Sequence, residues 1–135
     1  MTGSEKTITM CPGLLGFEEL TDYTLKPVPG NHFFYWLEAK EEGPSFILTK
    51  PKFFFPDYTV QVKRDSLANL CIEETEPEVY LIVTVPEQTS DMTANLLAPL
   101  FVNEEKGLAC QFVLHDTSYT TKHYLFAPEK RRSCG

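Results

Sequence analysis

A chain of 135 residues with 42% hydrophobic and 13% aromatic content is one domain, long enough to build a core without disulfide or metal support. No run of 18 apolar residues is present, so no membrane-spanning helix is expected, and polar Met1–Thr7 offers no signal-peptide core. The net charge of −7 is uneven: residues 1–128 hold 9 Lys/Arg against 18 Asp/Glu, giving −9, before a basic Lys130-Arg131-Arg132 tail. Nucleic acid binding needs phosphate neutralisation by Lys and Arg, so an acidic body argues against it and is compatible with a basic protein partner. A cytoplasmic address follows by default, with free thiols at Cys11, Cys71, Cys110 and Cys134, since no C-x-x-C spacing points to zinc or a redox pair.

In chain order, Thr7–Met10 predicts a short strand ahead of the Pro12-Gly13 turn. Gly16–Leu20 suits one helical turn that plugs Phe17 and Leu20 into the core. Tyr23–Val28 alternates as a strand and Pro29-Gly30-Asn31 reads as a turn. Phe33–Ala39 and Ser45–Thr49 predict a hairpin, with Trp36 in the core.

Phe53-Phe54-Phe55-Pro56-Asp57-Tyr58 is the first unusual stretch. Three consecutive phenylalanines cannot share one face of a strand, because successive side chains alternate. Either the chain turns a corner here and fills two small cores, or it presents an aromatic anchor beside Asp57, the kind of residue that dominates interfaces. Thr59–Lys63 alternates as a half-exposed strand, and Asp65–Cys71 is the best helix candidate, with Asp65 as N-cap. An acidic loop carrying Glu73, Glu74, Glu76 and Glu78 follows.

Val79–Val85 is a continuous apolar strand stopped by Pro86. Its expected antiparallel neighbour is Asp91–Asn103, the second unusual stretch. Pro99 forbids a regular helix there and favours extended backbone before it. That predicts a strand buried on much of both faces, irregular at Pro99, with Asn95 and Asn103 needing partners for their amides. Leu108–Leu114 predicts a last strand, His115–His123 is polar and aromatic, and 126–135 reads as a flexible basic tail after a single domain at 8–125, itself preceded by a flexible 1–7. About nine short strands, one or two short helices and no βαβ alternation make an all-β, mainly antiparallel fold: a partly open, barrel-like sandwich.

Chemistry-bearing constellations are poor. Asp116, Ser118 and His123 are the residue types of a nucleophile set but fall within one loop without a G-x-S-x-G elbow. His32, His115 and His123 lack the helical spacing of a local metal site. No enzyme, no cofactor and no metal is expected; the pattern points to a binding module. Phe54, Asp57 and Tyr58, the acidic Glu73, Glu74 and Glu76, and Asn95 are the candidate partner-binding residues.

Six segments carry a resemblance to a known family: Gly13–Glu18, Phe34–Leu37, Phe54–Tyr58, Ile82–Pro86, Met92–Pro99 through Asn103, and a looser Tyr119–His123. In that order they resemble the bacterial flagellar assembly factor FliW family. The resemblance implies a cytosolic regulator, a monomer when free, that binds flagellin. Once released from flagellin, it binds CsrA, an RNA-binding translational repressor, and antagonises it without occupying the RNA site. The alternative is a flagellin-specific, chaperone-like module with no part in translation control. The sequence departs from the family pattern at its N-terminal end, where a further strand with a Phe-Gly pair is usual and where Met10-Cys11-Pro12 replaces Phe-Pro-Glu. Either the start site is misplaced or the barrel lacks that strand, which would leave an open edge.

Overall fold

The computed structural model describes residues 5–10, 14, 16–17, 19–40, 43–60, 77–114 and 117–126. Nine strands, one short α-helix and a 3-10 turn at Thr89–Asp91 occur among them: β1 (Lys6–Met10), β2 (Asp22–Pro27), β3 (Phe34–Ala39), β4 (Ser45–Thr49), α1 (Pro51–Phe54), β5 (Glu78–Thr84), β6 (Thr93–Ala94), β7 (Leu100–Asn103), β8 (Leu108–Gln111) and β9 (His123–Tyr124).

The strands pair in the order β4-β3-β2-β1-β8-β7-β5, and β4 pairs back onto β5. Seven strands therefore close into a barrel, so the expected partly open form is corrected and the ring has no free edge. Every pairing is antiparallel except β1 with β8, where Thr9 lies opposite Leu108. β5 shares one edge with β4 and divides the other between β7 and β6. β9 extends the sheet from β6. This is the all-β, nine-strand class that the alternating patterns predicted.

The runs that are apolar at every position line two cores at once. Alternate residues point inward: Ile8, Met10, Tyr23, Leu25, Leu37, Leu48, Tyr80, Leu100, Val102 and Ala109 fill the barrel. The residues between them point outward into two satellite clusters. Leu81 and Val83 of β5 pack there with Met92, Ala94, Leu96 and Leu125, while Phe101 of β7 meets Cys110 of β8. β5 and β7 have no water-facing side along much of their length, which is why neither alternates in sequence. Fully burying one such aliphatic side chain contributes about 1.5–3 kcal/mol.

Two local expectations are corrected. Leu14, not Phe17, is the core residue of its segment; Phe17 is 40% exposed and rests edge-on against Phe46. Gly16 at φ +87° lets the chain double back through a bridge from Leu14 to Phe17, while Leu20 packs against the core as expected and its N–H donates to the Phe17 carbonyl at 3.0 Å; Glu18 of the expected helical turn lies outside the described residues. Trp36 lies half-buried on the outer side of β3, outside the core clusters, because its strand neighbours Tyr35 and Leu37 take the inward positions. The predicted helix Asp65–Cys71 and most of the Thr59–Lys63 strand lie outside the described residues; Thr59 and Val60 are not in a strand.

Asp91–Asn103 is not one strand but two, separated by a bulge. β6 sets Ala94 opposite Val83, and β7 sets Leu100 opposite Tyr80. The intervening residues 95–99 thus face only 81–82 of β5, and the excess loops outward. Asn95 holds the bulge: its Oδ1 accepts from the backbone N–H groups of Leu97 and Ala98, each at 3.0 Å. Pro99 sits at the bulge's end, where its missing N–H costs no ladder bond.

Candidate functional site

The bulge helps to build a cleft on the outer face. Phe54, Phe55, Pro56, Asp57, Tyr58, Leu96, Tyr119 and His123 line a space of about 320 Å³. One wall is the segment after β4. There Pro51 starts a single helical turn, its fixed φ and absent N–H suiting the first helical position. That turn answers the three-phenylalanine puzzle, because a helix fans successive side chains around its axis. Phe53 meets Phe33 at 5.3 Å, Phe54 stacks on Phe34 at 5.7 Å, and Phe55 turns to His123 at 6.3 Å. Both readings of the segment therefore have a physical counterpart: Phe54 and Phe55 pack into the second cluster, and Asp57 stands exposed beside them.

The bulge supplies the floor. Tyr58 donates through its hydroxyl to the Leu96 carbonyl at 2.6 Å, tying the first wall to the floor. Burial, helped by the neighbouring Tyr119, pushes the Tyr58 phenol well above its usual range, so it is neutral throughout physiological pH.

The opposite wall is the turn before β9. Tyr119 packs against Tyr58 with ring centres 4.7 Å apart, and its hydroxyl accepts from the Thr59 backbone N–H at 3.2 Å. His123 Nε2 accepts from the Thr120 N–H at 2.9 Å, and the Thr120 carbonyl accepts from both Leu96 and Leu97. The imidazole nitrogen nearest this turn is thus engaged by backbone. The Asp116–Ser118–His123 set has no assembled form among the described residues: Ser118 is exposed, His123 serves its own turn, and Asp116 lies outside them.

Phe54, Asp57 and Tyr58 come together in this cleft, and Asn95 stands beneath it as the brace of the bulge. Glu73, Glu74 and Glu76 lie outside the described residues. Phe55, Pro56, Leu96, Tyr119 and His123 complete the cleft without having been named as partner-binding residues. Phe55 and Pro56 adjoin the named residues in sequence, whereas spacing gives no hint of Leu96, and Tyr119–His123 stood out as a segment of family resemblance and not as a wall of this cleft.

A second polar arrangement sits toward one end of the barrel. Glu104 accepts from Lys6 and from the Tyr80 hydroxyl, the latter at 2.7 Å. Lys50 pairs with Glu78 at 3.2 Å and lies 5.6 and 5.4 Å from the ring centres of Tyr35 and Tyr80. Burial works against charging Glu104, but Lys6, Tyr80 and the nearby Lys50 outweigh it and hold its carboxyl below the usual range. For Lys50 burial likewise opposes the charge, and Glu78 outweighs it and raises the ammonium pKa. Among the described residues no group of three or more His, Cys, Asp or Glu side chains is placed to hold a metal ion, and no helix is long and apolar enough to cross a membrane.

Residues 2–125 match the family model described as FliW protein. The chain is 40% identical over 124 residues to the flagellar assembly factor FliW of Heliobacterium modesticaldum, covering 90% of this chain and 81% of that one. It is 37% identical over 134 residues to that of Natranaerobius thermophilus, covering 97% and 89%. A crystal structure of the flagellar assembly factor FliW superposes with a TM-score of 0.81 at 32% identity, over 92% of this chain and 88% of the other. With the closed barrel, its appended strands and the sequence in agreement over nearly the whole domain, this chain belongs to the FliW family of flagellar assembly factors.

Proposed function

We propose that this protein is a cytoplasmic regulator that works by binding other proteins: it takes up flagellin, and when flagellin is exported it binds the translational repressor CsrA and relieves repression of the flagellin message. The observation that carries this reading is family membership across residues 2–125. The geometry supports a binding role in place of a reaction: an aromatic cleft with one exposed carboxylate, and a histidine engaged by its own turn.

The acidic body adds a physical route to antagonism. A −9 charge brought beside RNA-bound CsrA raises unfavourable potential near the phosphates without entering their groove. This component weakens with salt, because screening shortens its reach to about 8 Å at physiological ionic strength.

Pull-downs from purified components test the reading. Immobilised flagellin and immobilised CsrA should each capture the protein, and added flagellin should release it from CsrA. Capture by flagellin alone would leave the chaperone-like alternative. Capture by neither would end the proposal. Within the site, Asp57→Lys should abolish capture with unchanged melting if the cleft is an interface; lost melting with retained capture would mark a purely structural corner.

A further inference from the structure

We propose that the cleft between Tyr58, Tyr119 and Asp57 is a cation-accepting aromatic site, which takes an arginine or lysine side chain from a protein partner. This deepens the binding reading above and rests on it for the partner being a protein. The walls favour a cation over an apolar side chain. Of the eight lining residues, Phe54, Phe55, Tyr58, Tyr119 and His123 are aromatic, Pro56 and Leu96 are the aliphatic contributors, and Asp57 is the one acid. The rings stand at steep angles to one another: Tyr58 to Tyr119 at 55°, Tyr119 to His123 at 73°, Phe55 to His123 at 81°. The rings therefore brace one another as a cluster, and an ammonium or guanidinium group is favoured over an aromatic face at such a wall.

Asp57 supplies the counter-charge. It is exposed at the rim, and among the described residues its carboxylate forms no ion pair, while Lys6, Lys26 and Lys50 are each paired with a glutamate. The nearest lysine in sequence on this wall, Lys52, lies 5.4 Å from the Phe53 ring. The size fits as well: 320 Å³ is at the low end of about 300–1,000 Å³ for small-ligand pockets, room for a side chain and not for a helix.

The same protein already holds a cation in this way. At the barrel end Lys50 sits near two tyrosine rings with one carboxylate, Glu78, at 3.2 Å. The cleft repeats the components, two tyrosines and one carboxylate. The acidic body brings basic segments toward it.

The test is an NMR titration of the full chain with N-acetyl-arginine amide and N-acetyl-lysine amide, against the uncharged N-acetyl-norleucine amide. The cationic probes should shift Tyr58, Tyr119 and His123 resonances, and norleucine amide should not. Asp57→Asn should weaken cation binding by about threefold to tenfold and leave the melting temperature unchanged. Equal shifts by norleucine amide, or no shift by either cation, would overturn the assignment. Binding that appeared only after removal of residues 127–135 would also overturn it, making the chain's own Lys130-Arg131-Arg132 the occupant. Capture on flagellin or CsrA separates the two levels. If Asp57→Asn is captured as well as wild type, the cleft assignment falls and the partner reading stands. If wild type binds arginine amide but neither protein, the partner reading falls and the cation site stands.

Discussion

Tyr58 and Leu96 are joined by a 2.6 Å hydrogen bond although 38 residues separate them, and that bond fixes the distance between the aromatic segment and the bulge. Replacing Tyr58 by Phe keeps the ring packing on Tyr119 and removes only the donor. The carbonyl of buried Leu96 is then left short of a partner, at a cost of about 1–3 kcal/mol. Urea denaturation should show that loss with an unchanged m-value. An unchanged midpoint would mean that packing alone holds the two walls together.

Asn95 braces the bulge with one oxygen and two backbone donors. Asn95→Ala orphans both donors and should destabilise by about 1–2 kcal/mol, whereas Asn95→Asp keeps the acceptor and should cost less. Thermal melts of the two variants make the comparison. If both behaved like wild type, the shape of the bulge would be set by Pro99 and packing instead.

Stability should fall with acid through Glu104. Its carboxyl pKa is lowered in the folded state, where Lys6 and Tyr80 overcome the effect of burial. A depressed carboxylate contributes stability that is present above its unfolded value, about 4.3, and is lost as pH drops through the folded value. Glu104→Gln should therefore be less stable than wild type at pH 7, and the difference should shrink below about pH 4.3. Denaturant titrations at both pH values measure it. A gap that persisted undiminished in acid would assign the loss to geometry, not charge.

Gly107 and Gly30 both adopt positive φ, at +69° and +75°, but only Gly107 is crowded: a Cβ there would lie 2.6 Å from the Thr7 carbonyl oxygen. Gly30→Ala should cost about 1–2 kcal/mol from backbone strain alone. Gly107→Ala must also displace β1, whose Thr9 N–H donates to the Gly107 carbonyl at 2.7 Å, and should cost clearly more. Equal melting temperatures for the two variants would show that β1 yields without penalty.

The strands were legible because hydrophobic spacing reports burial directly: Phe34–Ala39, Ser45–Thr49 and Glu78–Thr84 fall where alternation or unbroken apolar runs predict them. Closure of the ring was not, because pairing between β4 and β5 joins segments separated by residues whose pattern says nothing about their partner. The Phe53–Phe55 conflict was visible as a period-2 violation, and its resolution by a helical turn depended on Pro51 at the first helical position, a signal present but weak. Asn95 and Pro99 marked an irregularity without giving its form, since a bulge is defined by the partner strand's shorter count. The cleft was half legible. Phe54, Asp57 and Tyr58 adjoin in sequence, but Tyr119 and His123 arrive through the β6–β9 pairing, and local pattern carries no trace of that contact.

The parallel pairing of β1 with β8 sets the order in which the chain can be completed during synthesis. Lys6 meets Glu104 across 98 residues, and Met10 lies opposite Ala109. The β2–β3–β4 meander can form as soon as it leaves the ribosome, but β1 has its second edge unsatisfied until almost the whole domain has emerged. Loop closure over so long a span is slow compared with hairpin formation. Newly made chains therefore pass through a stage in which β1 is paired with β2 alone and has one open edge. A stall or truncation before residue 108 leaves that edge available for pairing with another molecule.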